Sequence, residues 1–128
     1  MPSTRIETRR GWLGERRRDF IEAIQRALVR GILIPQEDRC VRLMEYDEDA
    51  MIVSPGASPH FTVIEISLFT GRSLDAKRRL YASIVEEVAA FGLEAGDVKV
   101  ILHEVDRQDW GLRGKPGSEV ALNFKVEV

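Results

Sequence analysis

The chain has 128 residues and a mass of 14.5 kDa, with 19 Lys and Arg against 21 Asp and Glu, a formal charge of −2, and 44% hydrophobic residues. A chain of this length buries about two thirds of the surface it exposes when unfolded, so it needs neither disulfide nor metal to fold, and disordered, collagenous and fibrous classes are excluded. The near balance of charge speaks against a dedicated nucleic-acid binder.

The first residues, MPSTRIETRR, lack the apolar stretch of a signal peptide. No apolar run approaches the ~20 residues that cross a bilayer, so a cytoplasmic protein without membrane contact is expected. Residues 3–8 alternate as a short strand centred on Ile6. The period then lengthens: from about Glu15 to Arg30, Phe20, Ile21, Ile24, Ala27 and Leu28 share one helical face. Arg9, Arg10, Arg16, Arg17 and Arg18 form a solvated basic start to that helix, and Gly31 and Pro35 bracket its end. Val41 and Leu43 mark a second strand, followed by a polar connection over residues 47–59. Cys40 is the single cysteine and has no partner for an internal disulfide, which fits a reducing compartment.

FTVIEISLF, residues 61–69, is apolar on both alternating sets and predicts a third strand. A second helix follows, with Ser73 as its N-cap and Leu80, Tyr81, Ile84, Val85 and Val88 on its inner face. VKVILHEV, residues 98–105, predicts another strand. Val120, Leu122, Phe124, Val126 and Val128 at strict two-residue spacing predict a C-terminal strand over residues 120–128.

The two halves match. A shift of sixty residues sets Gly11 on Gly71, Ile6 on Ile66, Arg18 on Arg78 and Ile24 on Ile84. After the first helix a shift of fifty-nine sets Asp38 on Asp97, Val41 on Val100 and Leu43 on Leu102. A one-residue length change falls where a duplicated unit tolerates it, in a loop. The expected fold is therefore α+β: one domain over 1–128, with β-α-β pseudo-repeats at about 2–47 and 61–106. Right-handed crossovers place both helices on one face of a four-stranded sheet. The other face also looks apolar, through Phe61, Val63, Phe69, Ile101 and Val105, and a partner subunit is the expected cover.

Several residues stand out chemically. If Met1 is removed, the Pro2 nitrogen becomes a secondary amine able to act as acid or base; the alternative is that proline follows the initiator by chance. Arg72, in FTGRSLDAK, sits at a strand-to-helix turn where its guanidinium and free helix N–H groups favour a carboxylate, or where it pairs with a surface acid. Asp38, in PQEDR, is placed to polarise water or raise the pKa of a nearby amine, or serves as a turn residue. Trp110 and Arg113, in DWGLRGKPGSE, suggest a pocket wall or lid, or a plain loop with an aromatic anchor. His60, His103 and Cys40 lack metal-ligand spacing, and no serine or cysteine lies in a nucleophile motif, so no metal is expected.

The N-terminal proline, the duplicated β-α-β unit and the stretches IPQEDR, EISLFTGRSLDAK and HEVDRQDWGLRGK together resemble the tautomerase superfamily over essentially the whole chain. That superfamily includes 4-oxalocrotonate tautomerase, macrophage migration inhibitory factor and malonate semialdehyde decarboxylase, and the likeness is greatest to the long-chain decarboxylase-like group. The resemblance implies a homotrimer with active sites at subunit boundaries and no cofactor. It implies Pro2 as acid/base, Arg72 as the carboxylate binder and Asp38 as an assistant acting through water or the Pro2 amine. One departure is plain: the decarboxylase has a second arginine just before the one matching Arg72, whereas SLFTGR carries Leu68, Phe69 and Thr70 there. Loss of that cation argues against efficient decarboxylation.

The expected activity is keto–enol tautomerisation of a 2-oxo acid or enol acid, with Leu68, Phe69, Trp110 and Arg113 completing the substrate site. The apolar members would keep the amine neutral and favour an aromatic substrate such as phenylenolpyruvate. The alternatives are a cofactor-independent decarboxylase or hydratase of a 3-oxo or unsaturated acid, and a non-catalytic trimeric binding module. Retained Met1 would favour the last.

Overall fold

In a computed structural model that describes residues 2–128, β1 (Ser3–Arg9), α1 (Arg17–Ile32) and β2 (Val41–Tyr46) form one unit. The second unit is β3 (Thr62–Phe69), α2 (Leu74–Val88) and β4 (Val98–Val105). Removal of Met1, on which a free Pro2 amine depends, lies outside the described residues. The sheet order is β2-β1-β3-β4, with parallel pairing inside each unit and antiparallel pairing between β1 and β3.

The register obeys the internal shift. Thr4 faces Ile66 across the central pair, and their equivalents, Ile64 and Ile6, face each other. Thr4 pairs with Val41 as Ile64 pairs with Val100, and Ile6 with Leu43 as Ile66 with Leu102. The four-stranded sheet is thus a tandem β-α-β repeat with an approximate two-fold axis between β1 and β3.

Strand alternation sends Ile6, Ile64, Ile66 and Leu68 to the helix side, where they pack with Phe20, Ile24 and Leu28 of α1 and Leu80, Ile84 and Val88 of α2. α1 ends at Ile32, between Gly31 and Pro35 as expected. Gly31 has a further role: an added Cβ there would come 2.6 Å from the Leu80 Cα, so the glycine allows close approach of the two helices. Leu33, in left-handed backbone at φ 59°, closes α1 through its N–H to the Val29 carbonyl at 3.1 Å. Ser73 caps α2 as expected, accepting from the Ala76 N–H at 3.1 Å.

The helix-free face is more polar than expected, because Arg5, Glu7, Glu65 and His103 fall on it in register with Val63 and Ile101. Glu65 accepts from Arg5 Nη2 at 3.2 Å and lies 2.7 Å from His103 Nε2. The Tyr46 hydroxyl donates to Glu7.

DWGLRGKPG builds a hairpin, β5 (Gly111–Leu112) with β6 (Lys115–Pro116), around a two-residue turn whose members, Arg113 and Gly114, have φ of 53° and 77°. Positive φ at both central positions is the signature of a type I′ turn, which matches strand twist. Residues 120–128 form no strand. Alternation selects which side chains meet apolar surface, but a strand also needs a ladder partner, and among the described residues the segment has none. It is held by separate contacts: Arg107 Nη2 donates to the Gly117 and Val120 carbonyls, at 3.1 and 3.0 Å, and the Ser73 N–H donates to the Val128 carbonyl at 3.2 Å. Among the described residues no helix is long and apolar enough to cross a membrane, and no acidic, His or Cys cluster gathers as a metal site.

Candidate active site

The turn from β3 into α2 fixes Arg72. Gly71, at φ 136°, takes a backbone conformation that side chains disfavour, and it swings the next residue back under the chain end. Arg72 is only 5% exposed. Its Nη1 donates to the Phe69 carbonyl at 3.3 Å, and the Phe124 ring lies 5.9 Å from the guanidinium carbon. Nε and Nη2 are buried without a hydrogen-bond acceptor among the described residues. Burial pushes this guanidinium down from its usual value, while Asp38, Glu104 and Glu127 pull it up. A buried N–H left unpaired costs about 1–3 kcal/mol, more for a charged group. Two such groups on one cation suit a ligand that supplies two oxygens, as a carboxylate does.

Asp38 reaches the same region from the loop between α1 and β2. Its N–H donates to the Pro35 carbonyl and its own carbonyl accepts from Gln25 Nε2, both at 3.1 Å. The Thr4 N–H donates to the Cys40 carbonyl at 2.9 Å, which brings the end of this loop beside the head of β1. Pro2 is buried there, one residue before Ser3, which pairs with Ser67 of β3. Pro2, Asp38 and Arg72 therefore converge on one end of the central strand pair.

An open cleft of about 640 Å3 adjoins Asp38, lined by Asp38 and Arg39 on one side and by Leu112, Arg113, Leu122 and Phe124 on the other. Arg113 lines this cleft. Arg72 lies behind the Phe124 ring rather than on the cleft surface. Leu68 and Phe69 do not line the cleft: both are 0% exposed, so their expected contact with substrate is corrected to a packing role. Leu68 points to the helices, and Phe69 is covered by Trp110, whose ring meets it edge-on at 5.1 Å. Trp110 itself is a brace, with Nε1 donating to the Val105 carbonyl at 3.1 Å and its carbonyl accepting from the Gly117 N–H at 2.7 Å. Phe124 was not singled out from sequence as a site residue; its only signal was membership of the alternating apolar row.

A sequence profile of the family described as tautomerase enzymes matches residues 38–113, more than half of the chain. The chain belongs to the tautomerase family. The matched stretch includes Asp38, Arg72, Trp110 and Arg113 but not Pro2. A probable tautomerase from Ralstonia nicotianae is 37% identical over 57 residues, which cover 44% of this chain and 81% of that protein. Among solved structures, FG41 malonate semialdehyde decarboxylase inhibited by 3-bromopropiolate is similar at a TM-score of 0.75 and 30% identity, over 84% of this chain and 86% of the other. A fused 4-OT, an asymmetric trimer, is similar at a TM-score of 0.80 and 26% identity, over 91% and 96% of the two chains. Membership of the tautomerase family supports an isomerase-type enzyme and weighs against the non-catalytic binding module.

Proposed function

We propose that this tautomerase interconverts a small 2-oxo acid and its enol, with phenylenolpyruvate as a suitable aromatic substrate, and that it does so without a cofactor. The observation that carries the reading is the buried Arg72 guanidinium, whose Nε and Nη2 have no acceptor among the described residues. The substrate carboxylate would take those two N–H groups, reached past Phe124, and the same cation would stabilise negative charge developing on the enolate oxygen. With Met1 removed, the neutral Pro2 amine takes the proton of the enol hydroxyl. The electron pair of the carbon–carbon double bond then takes a proton from the prolinium, which gives the ketone and restores the amine. Asp38 would hold the cationic form of Pro2 or orient water beside it. Arg113 supplies a second cation at the cleft, and Leu112, Leu122 and Phe124 offer an apolar wall to a substrate ring.

The full unit would be a cytoplasmic homotrimer built from one domain over 1–128, with β-α-β pseudo-repeats at about 2–47 and 61–106. In it a neighbour covers the helix-free face, and residues 120–128 gain the ladder partner they lack in one chain. The similar fused 4-OT is a trimer, which supports this assembly. The likeness to a malonate semialdehyde decarboxylase supports a second reading, in which Pro2 stays protonated and Asp38 activates water toward a 3-oxo or unsaturated acid. The absence of a second arginine just before Arg72 weighs against it.

The test is ketonisation of phenylenolpyruvate by protein with Met1 removed. A rate at least about 10²-fold above a Pro2→Ala control supports the proline mechanism, and equal rates refute it. An apparent pKa of the Pro2 amine below about 7 fits the base role, and one well above the reference 7.7–8.0 fits the decarboxylase or hydratase role.

A further inference from the structure

Gln25 interrupts an otherwise apolar face. On α1 it is flanked by the buried Ala23, Ile24, Ala27 and Leu28, and it is itself only 5% exposed. A buried amide on such a face is costly unless it is bonded. Its Nε2 donates to the Asp38 carbonyl at 3.1 Å, while its Oε1 is buried with no hydrogen-bond partner among the described residues. The side chain thus leaves one polar atom unsatisfied and makes its bond to one residue, Asp38.

The internal duplication supplies a control. The turn that carries Asp38 is repeated at Asp97: the Asp38 N–H donates to the Pro35 carbonyl, and the Asp97 N–H donates to the equivalent Glu94 carbonyl at 2.9 Å. Asp97 closes its own turn, with its carboxylate accepting the Glu94 N–H at 3.0 Å. The shift of sixty that aligns the helices sets Gln25 on Val85. The fold therefore builds this helix and this turn without a polar residue at that position. The amide occurs only in the unit whose aspartate stands beside Arg72.

We infer that Gln25 is a positioning residue for the tautomerase reaction, tethering the backbone of Asp38 so that its carboxylate stays aimed at the Pro2 and Arg72 end of the sheet. The inference rests on the proposed function for its catalytic consequence, and on geometry alone for the tether. Pro35 holds the Asp38 N–H and Gln25 holds its carbonyl, so both peptide groups of the residue are pinned. Loss of the Gln25 bond frees the carbonyl side of Asp38 and loosens the placement of its carboxylate, while the Arg72 guanidinium keeps its own bond to the Phe69 carbonyl.

The experiment uses the full chain and Gln25→Met, which keeps length and packing while removing both polar atoms. The Asp38 carboxyl is followed by carbon-detected NMR through a pH titration, alongside steady-state ketonisation of phenylenolpyruvate and urea denaturation. The tether predicts an Asp38 titration moved by about half a unit or more. It also predicts a kcat lowered about tenfold, a KM within about twofold because Arg72 still holds the carboxylate, and stability unchanged or raised because an orphaned acceptor has gone. Gln25→Glu, which sets an acceptor against the Asp38 carbonyl, should lower kcat at least as far. An unmoved Asp38 titration overturns the tether whatever the rates do. A moved titration with unchanged kcat overturns its catalytic role. A moved titration in a protein whose wild type does not turn over enol acids upholds the tether and refutes the proposed function instead.

Discussion

Trp12 and Arg72 occupy equivalent positions in the two units, each directly after a glycine in left-handed backbone, Gly11 at φ 112° and Gly71 at φ 136°. The Trp12 ring stacks on His60 at 4.6 Å, meets Phe20 edge-on at 5.7 Å and donates its N–H to the Thr8 hydroxyl at 3.0 Å. Thr62, the equivalent of Pro2, lies 3.1 Å from that hydroxyl. One end of the duplicated fold is thus closed by an aromatic ring with its polar groups satisfied. The other end keeps a guanidinium with two buried N–H groups open.

Removing the plug should cost stability and leave the chemistry intact. Trp12→Ala gives up both ring contacts and leaves Thr8 without the indole donor. Trp12 is half-buried, so about 2–3 kcal/mol is expected, at or below the low end of the range for fully buried aromatics. Urea denaturation reads the loss, and ketonisation per folded molecule should stay within about twofold.

Arg72→Met should separate activity from stability in opposite directions. Loss of the carboxylate clamp and of charge stabilisation lowers kcat/KM for an enol acid by about 10²–10³. Two unsatisfied N–H groups and a buried charge disappear with the guanidinium, so the midpoint of urea denaturation should hold or rise.

The two helices touch at Gly31, and an alanine there has no room. Its Cβ would sit 2.6 Å from the Leu80 Cα, a backbone atom that cannot move without shifting α2. Gly31→Ala should therefore destabilise by about 1–3 kcal/mol despite the better helix propensity of alanine. A denaturation curve that moves the other way would mean the helices are not packed this closely.

Glu65 ties stability to acid. The His103 hydrogen bond, and after it the bond from Arg5, holds its carboxyl below the usual carboxylate value. A group whose folded pKa is depressed stabilises fully above its unfolded value of about 4.3, and that contribution fades as pH falls through the lower folded value. Glu65→Gln should be less stable than wild type at about pH 6, and the gap should close toward about pH 3.

Much of this was legible in sequence because periodicity reports burial directly. The β4 bounds coincide with VKVILHEV, and the strand register maps onto itself under the shift of sixty. What failed were features decided by partners. Residues 120–128 alternate like a strand yet have no ladder partner among the described residues, and the close approach of α2 to Gly31 shows only once the helices are packed. Phe69 looked like a pocket residue because it precedes Arg72, but Trp110 folds back over it. Arg113 and Gly114 gave no hairpin signal because arginine is unusual at positive φ.

The most direct measurement is a crystal structure of the Met1-free protein soaked with a 2-oxo acid. The carboxylate oxygens are expected within about 3 Å of Arg72 Nε and Nη2, with the carbonyl end facing the Pro2 nitrogen. A carboxylate bound elsewhere, with those two N–H groups still unpaired, would contradict this placement.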